Sequence, residues 1–323
     1  MKRIVFKAML CLLAAIAMPA MAAYPDRPIT LIIGYTAGGP TDIVGRYLAK
    51  GLERELGQSV IVENRPGANA VVALLAVKKA APDGYTLYLG SSGTLSIEPV
   101  YKKRVNYDVL KDLTPVGLVA SYPYLLVVPQ DSPYKTVQDL VAGARAQPGK
   151  LSFASAGSGA VNHLAGEWFK SATNTQITHI PYKGDSDAIA DLVAGRVDMA
   201  FLSAIAAMPQ IRANKFRVLA IASAEPSEVM PGMVTVAQAA SVPGFAAEPW
   251  NGVLAPAGLP LEIVNKLNAA INKVMSTPDA HKTLLGLGQT PLADTPAALA
   301  QRITEQTARW DDVIKTGHIE QGE

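Results

Sequence analysis

The chain has 323 residues, of which 49% are hydrophobic, with one cysteine, enough length and apolar content to bury two cores. Three of its 29 basic residues and none of its 27 acidic ones precede residue 23, so the remainder carries a net charge of −1. Lys102-Lys103-Arg104 is the one basic run after residue 23, and a nucleic-acid-binding face, which needs Lys and Arg clustered over a whole surface, is excluded.

Lys2, Arg3 and Lys7 precede an apolar run from Met9 to Ala17, and Ala20-Met21-Ala22 is an A-x-A cleavage pattern. Residues 1–22 are therefore predicted to be an export signal, with the mature chain starting at Ala23. A membrane anchor needs roughly 18 or more apolar residues, and Pro19 interrupts this run. Cys11 lies inside the leader. The exported chain then has no thiol, which excludes disulfides, cysteine-bound metal and thiol catalysis.

The most informative stretch comes next. Residues 29–68 read as a buried strand (Ile29–Ile33), a glycine turn (Gly38, Gly39), a helix opened by Pro40, Thr41 and Asp42, and a second strand over 60–63. In such a unit the unpaired N–H groups at the helix start point to the tip of the sheet, where they hold an anion. The helix carries Ile43, Val44, Tyr47, Leu48, Leu52 and Leu56 on one stripe, and Gly57 ends it. A helix over 71–80, a Pro-Asp-Gly turn at 82–84 and a strand over 85–89 complete a βαβαβ unit, which predicts a parallel sheet with right-handed crossovers.

A second unit opens with a strand over 124–128. It continues through a helix over 137–146, a strand over 151–154, the turn Ser155-Ala156-Gly157-Ser158-Gly159, a helix over 163–171 and a strand over 176–180. The turn Pro181-Tyr182-Lys183-Gly184, a helix over 186–194 and strands over 199–202 and 217–222 follow. Pro243-Gly244 and the segment Pro256–Pro260 punctuate a return segment, and helices over 261–275 and 296–315 close the chain. The pattern predicts an α/β fold of two lobes around a cleft, residues 23–120 with 246–323 forming one and 121–245 the other. The C-terminal helices are expected to pack back on the first lobe, which makes the crossings near 120 and 245 a hinge.

A series of short motifs runs along nearly the whole mature length. It includes Tyr24-Pro25 with Arg27-Pro28-Ile29, Gly38-Gly39-Pro40-Thr41-Asp42, Glu63-Asn64-Arg65-Pro66-Gly67-Ala68, Pro82-Asp83-Gly84-Tyr85 and Lys111-Asp112-Leu113-Thr114-Pro115-Val116. Pro148-Gly149-Lys150-Leu151, Ser155 to Gly159 with His163-Leu164, Pro181-Tyr182-Lys183-Gly184, Gly195-Arg196-Val197-Asp198, Trp250-Asn251-Gly252 and Ala255-Pro256-Ala257-Gly258 extend it. In this order the chain resembles the Bug family of periplasmic solute-binding proteins, the receptors of tripartite tricarboxylate transporters. The resemblance implies a two-lobe periplasmic-binding-protein fold (a Venus flytrap, type II-like) with no catalytic activity, no cofactor and no metal. It also implies a monomer working beside a membrane permease. Its ligand would be a small carboxylate or amino-acid-like solute, held by backbone amides, hydroxyls and water. The chain departs from the family pattern at Asn69-Ala70, Thr36, Glu98 and Asp187. An acid lining the pocket would favour a ligand with an amino group or a neutral far end.

Ligands in open parallel sheets sit at the carboxyl ends of the strands. The loops expected there are Thr36–Asp42 (Thr36, Ala37, Gly38, Gly39, Thr41, Asp42), Ser91–Thr94 (Ser91, Ser92, Thr94), Ser155–His163 (Ser155, Gly157, Ser158, Gly159, His163), Pro181–Gly184 (Tyr182, Lys183) and Ser203-Ala204. Their hydroxyls and N–H groups suit a carboxylate without a fixed counter-charge. Structural rivals stand beside them: Asp42 as a helix cap or first-turn acid, His163 as a structural residue, Tyr182 as core, Lys183 as a solvated charge.

Enzyme readings are weaker. A dinucleotide fingerprint would need Gly where Asn162 stands, and a serine-hydrolase elbow would need Gly where Thr94 stands. The four histidines, His163, His179, His281 and His318, show no ligand spacing. Two alternatives to a transport receptor remain: a periplasmic sensor signalling to a membrane partner, and a serine-type hydrolase.

Overall fold

A computed structural model describes residues 24–182 and 184–322; the expected export signal lies outside the described residues. The first five elements are β1 (Ile29–Ile33), α1 (Pro40–Leu56), β2 (Val60–Asn64), α2 (Val71–Lys78) and β3 (Thr86–Ser91). β1 lies between β2 and β3 and is parallel to both. Its Ile29, Leu31 and Ile33 pack under α1 and its Ile32 on the α2 side, so both faces are buried. That is why β1 reads as an unbroken apolar run. Pro40 opens α1 with its preset φ, and Gly57 closes it in the left-handed conformation at φ 70°.

A π-helical turn over Gly93–Ile97 leads into α3 (Glu98–Tyr101), then α4 (Val109–Asp112) and β4 (Leu113–Ser121). The chain crosses to a second sheet built from β5 (Tyr124–Pro129), α5 (Val137–Ala146), β6 (Ser152–Ser155), α6 (Val161–Thr173) and β7 (Thr178–Pro181). It continues with α7 (Asp185–Val193), β8 (Met199–Ser203), α8 (Ala204–Arg212), β9 (Phe216–Ile221) and α9 (Val236–Ala239). It then returns as β10 (Trp250–Pro256), α10 (Leu261–Met275), α11 (Pro278–Gly286), β11 (Thr290–Pro291) and α12 (Pro296–Thr316).

Both sheets are mixed, where parallel ones were expected. The first has the order β11-β4-β10-β3-β1-β2, and β10 enters it antiparallel between β3 and β4. The second has the order β7-β6-β8-β5-β9, with β5 antiparallel to both β8 and β9. All seven residues of β10 are buried, yet Gly252 and Pro256 hide the strand in the sequence. Pro209 inside α8 has the same masking effect there.

The last helix corrects a second expectation. α10 packs on the first sheet through Val264, Leu267 and Ile271. α12 instead serves both lobes: Leu299 and Ile303 join the first sheet's core, whereas Trp310, Val313 and Ile314 join the core beneath the second sheet. Trp310 meets Trp168 edge-on at 5.8 Å between ring centroids. Removing it leaves a cavity where the lobes meet, so Trp310→Ala is expected to cost about 3–5 kcal/mol in urea unfolding, while the exposed neighbour Arg309→Ala stays within about 0.5 kcal/mol.

Candidate functional site

A cleft of about 620 Å³ separates the two sheets, a volume suited to a small solute. The first sheet contributes the loop from Tyr35 to Thr41, together with Asn69 and Ser91 to Gly93. From the second sheet come Tyr122, Tyr124, Ala156, Asn162, Gly184 to Ser186 and Ser203. Of the expected site residues, Thr36, Ala37, Gly38, Gly39, Thr41, Ser91, Ser92 and Ser203 line this cleft.

The first wall is held rigid from behind. Tyr35 Oη lies 2.7 Å from Ser91 Oγ, 3.3 Å from Thr94 Oγ1 and 3.4 Å from Asn69 Oδ1, and the Thr94 hydroxyl donates to the Asn69 carbonyl at 2.6 Å. Thr94 is thus a buried brace, off the cleft lining. Asp42 is another. Gly39 occupies the N-cap, and Asp42 sits in the first turn, where its carboxylate accepts from Gly38 N–H, Arg46 Nε and Asn64 Nδ2, each at 2.9 Å. Burial pushes this carboxyl up, but the bonds from Arg46, Gly38 and Asn64 outweigh it and hold it below its ordinary value. One expected anion donor, Gly38 N–H, is consumed in the process. Asn251 Nδ2 donates to Thr41 Oγ1 at 3.1 Å, which leaves the Thr41 hydroxyl hydrogen to point elsewhere.

The second wall departs further from expectation. The turn 155–159 is expected to offer N–H groups to the ligand, but three of them bind side chains of their own segment. Ala156 N–H donates to Asn162 Oδ1 at 3.2 Å, Gly157 N–H to Ser155 Oγ at 3.2 Å and Gly159 N–H to His163 Nδ1 at 3.1 Å. Buried donors must find partners, and here the partners are internal. Gly159, at φ 83°, packs against Tyr101, where an ideal Cβ would come within 2.4 Å of the ring. Ser155 is fully buried, Tyr182 donates to Asp191 Oδ2 at 2.7 Å, and Ala204 is core. Ser158 and His163 line a different cavity, and Lys183 lies outside the described residues.

Sequence reasoning missed Tyr35, Asn69, Tyr122, Tyr124, Asn162 and Asp185. The two acids that depart from the family pattern stand elsewhere: Glu98 is buried off the cleft and accepts from Asn69 Nδ2 at 2.8 Å, and Asp187 is exposed. The acid on the cleft wall is Asp185, the first residue of α7. Burial raises its pKa, and the hydrogen bond from Asn162 Nδ2, at 3.1 Å, offsets part of that. Opposite the first wall, Ser203 Oγ is buried without a hydrogen-bond partner.

The second cavity, about 570 Å³, gathers His163, Glu167, His179 and His318. Ligand atoms of His163, Glu167 and His179 lie within 4.8 Å of one another; His163 and Glu167 are one turn apart on α6, and β7 brings His179 to them. Its chemistry is already committed. Gly159 N–H makes His163 Nδ1 an acceptor and so places the imidazole proton on Nε2, while Lys170 Nζ holds both Glu167 oxygens at 2.8 and 2.7 Å. Burial, then His179 and Lys170, pull the His163 pKa down to about 3; burial, then Lys170, take His179 down to about 4. Both rings are therefore neutral in the folded state near pH 7. Because their folded pKa values lie below the unfolded value, their contribution is complete above about pH 6.5 and is lost as pH falls through about 4 for His179 and about 3 for His163. Urea unfolding at pH 7 and pH 5 should show lower stability at pH 5, with a smaller drop in a His163→Gln, His179→Gln double variant.

The model of the family described as "Tripartite tricarboxylate transporter family receptor" matches residues 44–319. Protein BugT of Bordetella pertussis is 36% identical over 304 residues, spanning 94% of this chain and 93% of its own. Two solved structures are similar throughout. Rpa4515 of R. palustris with adipate has a TM-score of 0.84 at 33% identity and covers 92% of this chain and 99% of its own. MatC from Rhodopseudomonas palustris with bound malate has a TM-score of 0.78 at 33% identity and covers 90% of this chain and 100% of its own. With its two α/β lobes and the cleft between them, the chain belongs to the Bug family of tripartite tricarboxylate transporter receptors.

Proposed function

We propose that this chain captures a small carboxylate-containing solute between its lobes in the periplasm and delivers it to a membrane permease of the tripartite tricarboxylate type. The lobes are residues 23–120 with 246–323, and 121–245. The observation that carries this reading is the cleft wall itself. Ser91, Ser92 and Thr41 face it from one side and the unpartnered Ser203 hydroxyl from the other, while the α1 start leaves Thr41 and Asp42 N–H groups beyond the reach of intrahelical acceptors. A solute touching both walls makes its full set of contacts only when the lobes are shut, which shifts the population toward closure.

The relatives with adipate and malate support a carboxylate. A serine-hydrolase role fits poorly. The Ser155 Oγ and His179 Nε2 pair, 2.6 Å apart, involves a serine that is completely buried and away from the cleft lining.

Calorimetry with a carboxylate panel that includes malate and adipate tests the proposal. At least one member should bind, and Ser203→Ala should weaken it about tenfold or more, as expected for a hydrogen bond to a charged group. Ser158→Ala, on the other cavity, should leave affinity unchanged. Binding that is indifferent to Ser203→Ala would overturn the site, and an inert panel would overturn the carboxylate reading.

A further inference from the structure

The two walls of the cleft differ in charge character. Among the described residues that line it there is no lysine, arginine or histidine, and one carboxylate, Asp185. An acid at a helix start is ordinary, because the dipole favours it, and Asp187 has that benefit while remaining exposed to water. Asp185 instead faces the cleft, where burial disfavours its charged form. Dipole stabilisation alone does not require that placement.

Its surroundings keep it aimed. Asn162 is 1% exposed and its amide is fixed at both ends: Oδ1 accepts from Ala156 N–H and Nδ2 donates to Asp185 Oδ1. Among the described residues no other side chain bonds this carboxylate, and the residue lines the cleft. A solute carboxylate brought to this wall would meet a like charge in a partly desolvated site. A cation there would instead offset the cost of burying Asp185.

Building on the carboxylate-receptor reading above, we infer that the second lobe selects a solute whose far end is an ammonium group, paired with Asp185 Oδ2, while the first lobe holds its carboxylate. The ligand class is an amino-carboxylate with its charges at opposite ends, and a dicarboxylate is disfavoured. In that respect this chain would differ from the relatives whose structures contain adipate or malate.

The test compares isosteric probes by calorimetry: 6-aminohexanoate, adipate and hexanoate, with 4-aminobutanoate and succinate as a shorter pair. The wild-type chain should bind one amino-carboxylate at least about tenfold tighter than its matched dicarboxylate. Asp185→Asn and Asp185→Ser should each abolish or reverse that preference, with thermal melts confirming that both variants fold, and Asp187→Asn should retain it. Dicarboxylate binding equal to or tighter than amino-carboxylate binding, or an unchanged ratio in both Asp185 variants, overturns this inference alone. If none of the five probes binds, the inference falls together with the receptor reading.

Discussion

The whole arrangement depends on the chain passing twice between its sheets. β4 ends at Ser121 in one sheet and β5 begins at Tyr124 in the other, and β10 returns beside the first crossing. Tyr122 N–H donates to the Pro249 carbonyl at 2.9 Å, and Ser121 Oγ to Glu248 Oε1 at 2.9 Å, so the two crossing strands are bonded side by side. α12 adds a third link by contributing to both cores. Two separately packed sheets linked by two crossing strands and one shared helix leave space between them, and the cleft is that space.

Within the cleft, the disposition of hydrogen-bond donors follows from what each loop has already spent. A buried N–H must be paired. In the second lobe Asn162, Ser155 and His163 supply those pairs from within the same turn and helix. That wall keeps the Ser203 hydroxyl, the Asp185 carboxylate and the N–H groups at the starts of α6 and α7 that precede the first intrahelical bonds. In the first lobe Asp42 takes one backbone donor, the Gly38 N–H, and Pro40 has none to satisfy, so the start of α1 keeps donors in reserve. The two jaws therefore differ in charge, because among the described lining residues the one carboxylate stands on the second. Similar motifs in the two halves of the sequence conceal this asymmetry.

Much of the scaffold was legible without coordinates. The helices over 137–146 and 261–275 have the boundaries that their apolar stripes predict, and the βαβαβ start follows from one turn chemistry after another. β10 was not legible, because a strand buried on both faces and interrupted by Gly252 lacks alternation. Nor was the reach of α12, since an apolar stripe shows that a helix packs but not against which core. At the site, the glycine and hydroxyl loops of the first lobe were identifiable by composition, as was Ser203. Asp185 follows directly on the Pro-Tyr-Lys-Gly turn, whereas the departure from the family pattern falls at Asp187, two residues later. One position along a helix start separates a cleft wall from solvent, and periodicity fixes such a rotation only to within about a residue.

Local chemistry is written in the order of residues, and the sequence alone determined everything that depends on it. That includes the absence of thiols after residue 23, the near-neutral charge, the alternation of strands and helices, the turns rich in glycine and serine, and the family resemblance. Tertiary structure decided which of those turns still had donors to offer, which acid faced the cleft, and that His163, Glu167 and His179 would meet. Those outcomes depend on hydrogen bonds and packing that only the fold brings together, from Asn162 with Asp185 in one lobe to Tyr122 with Pro249 and Asn251 with Thr41. No local pattern encodes a partner that arrives more than a hundred residues later.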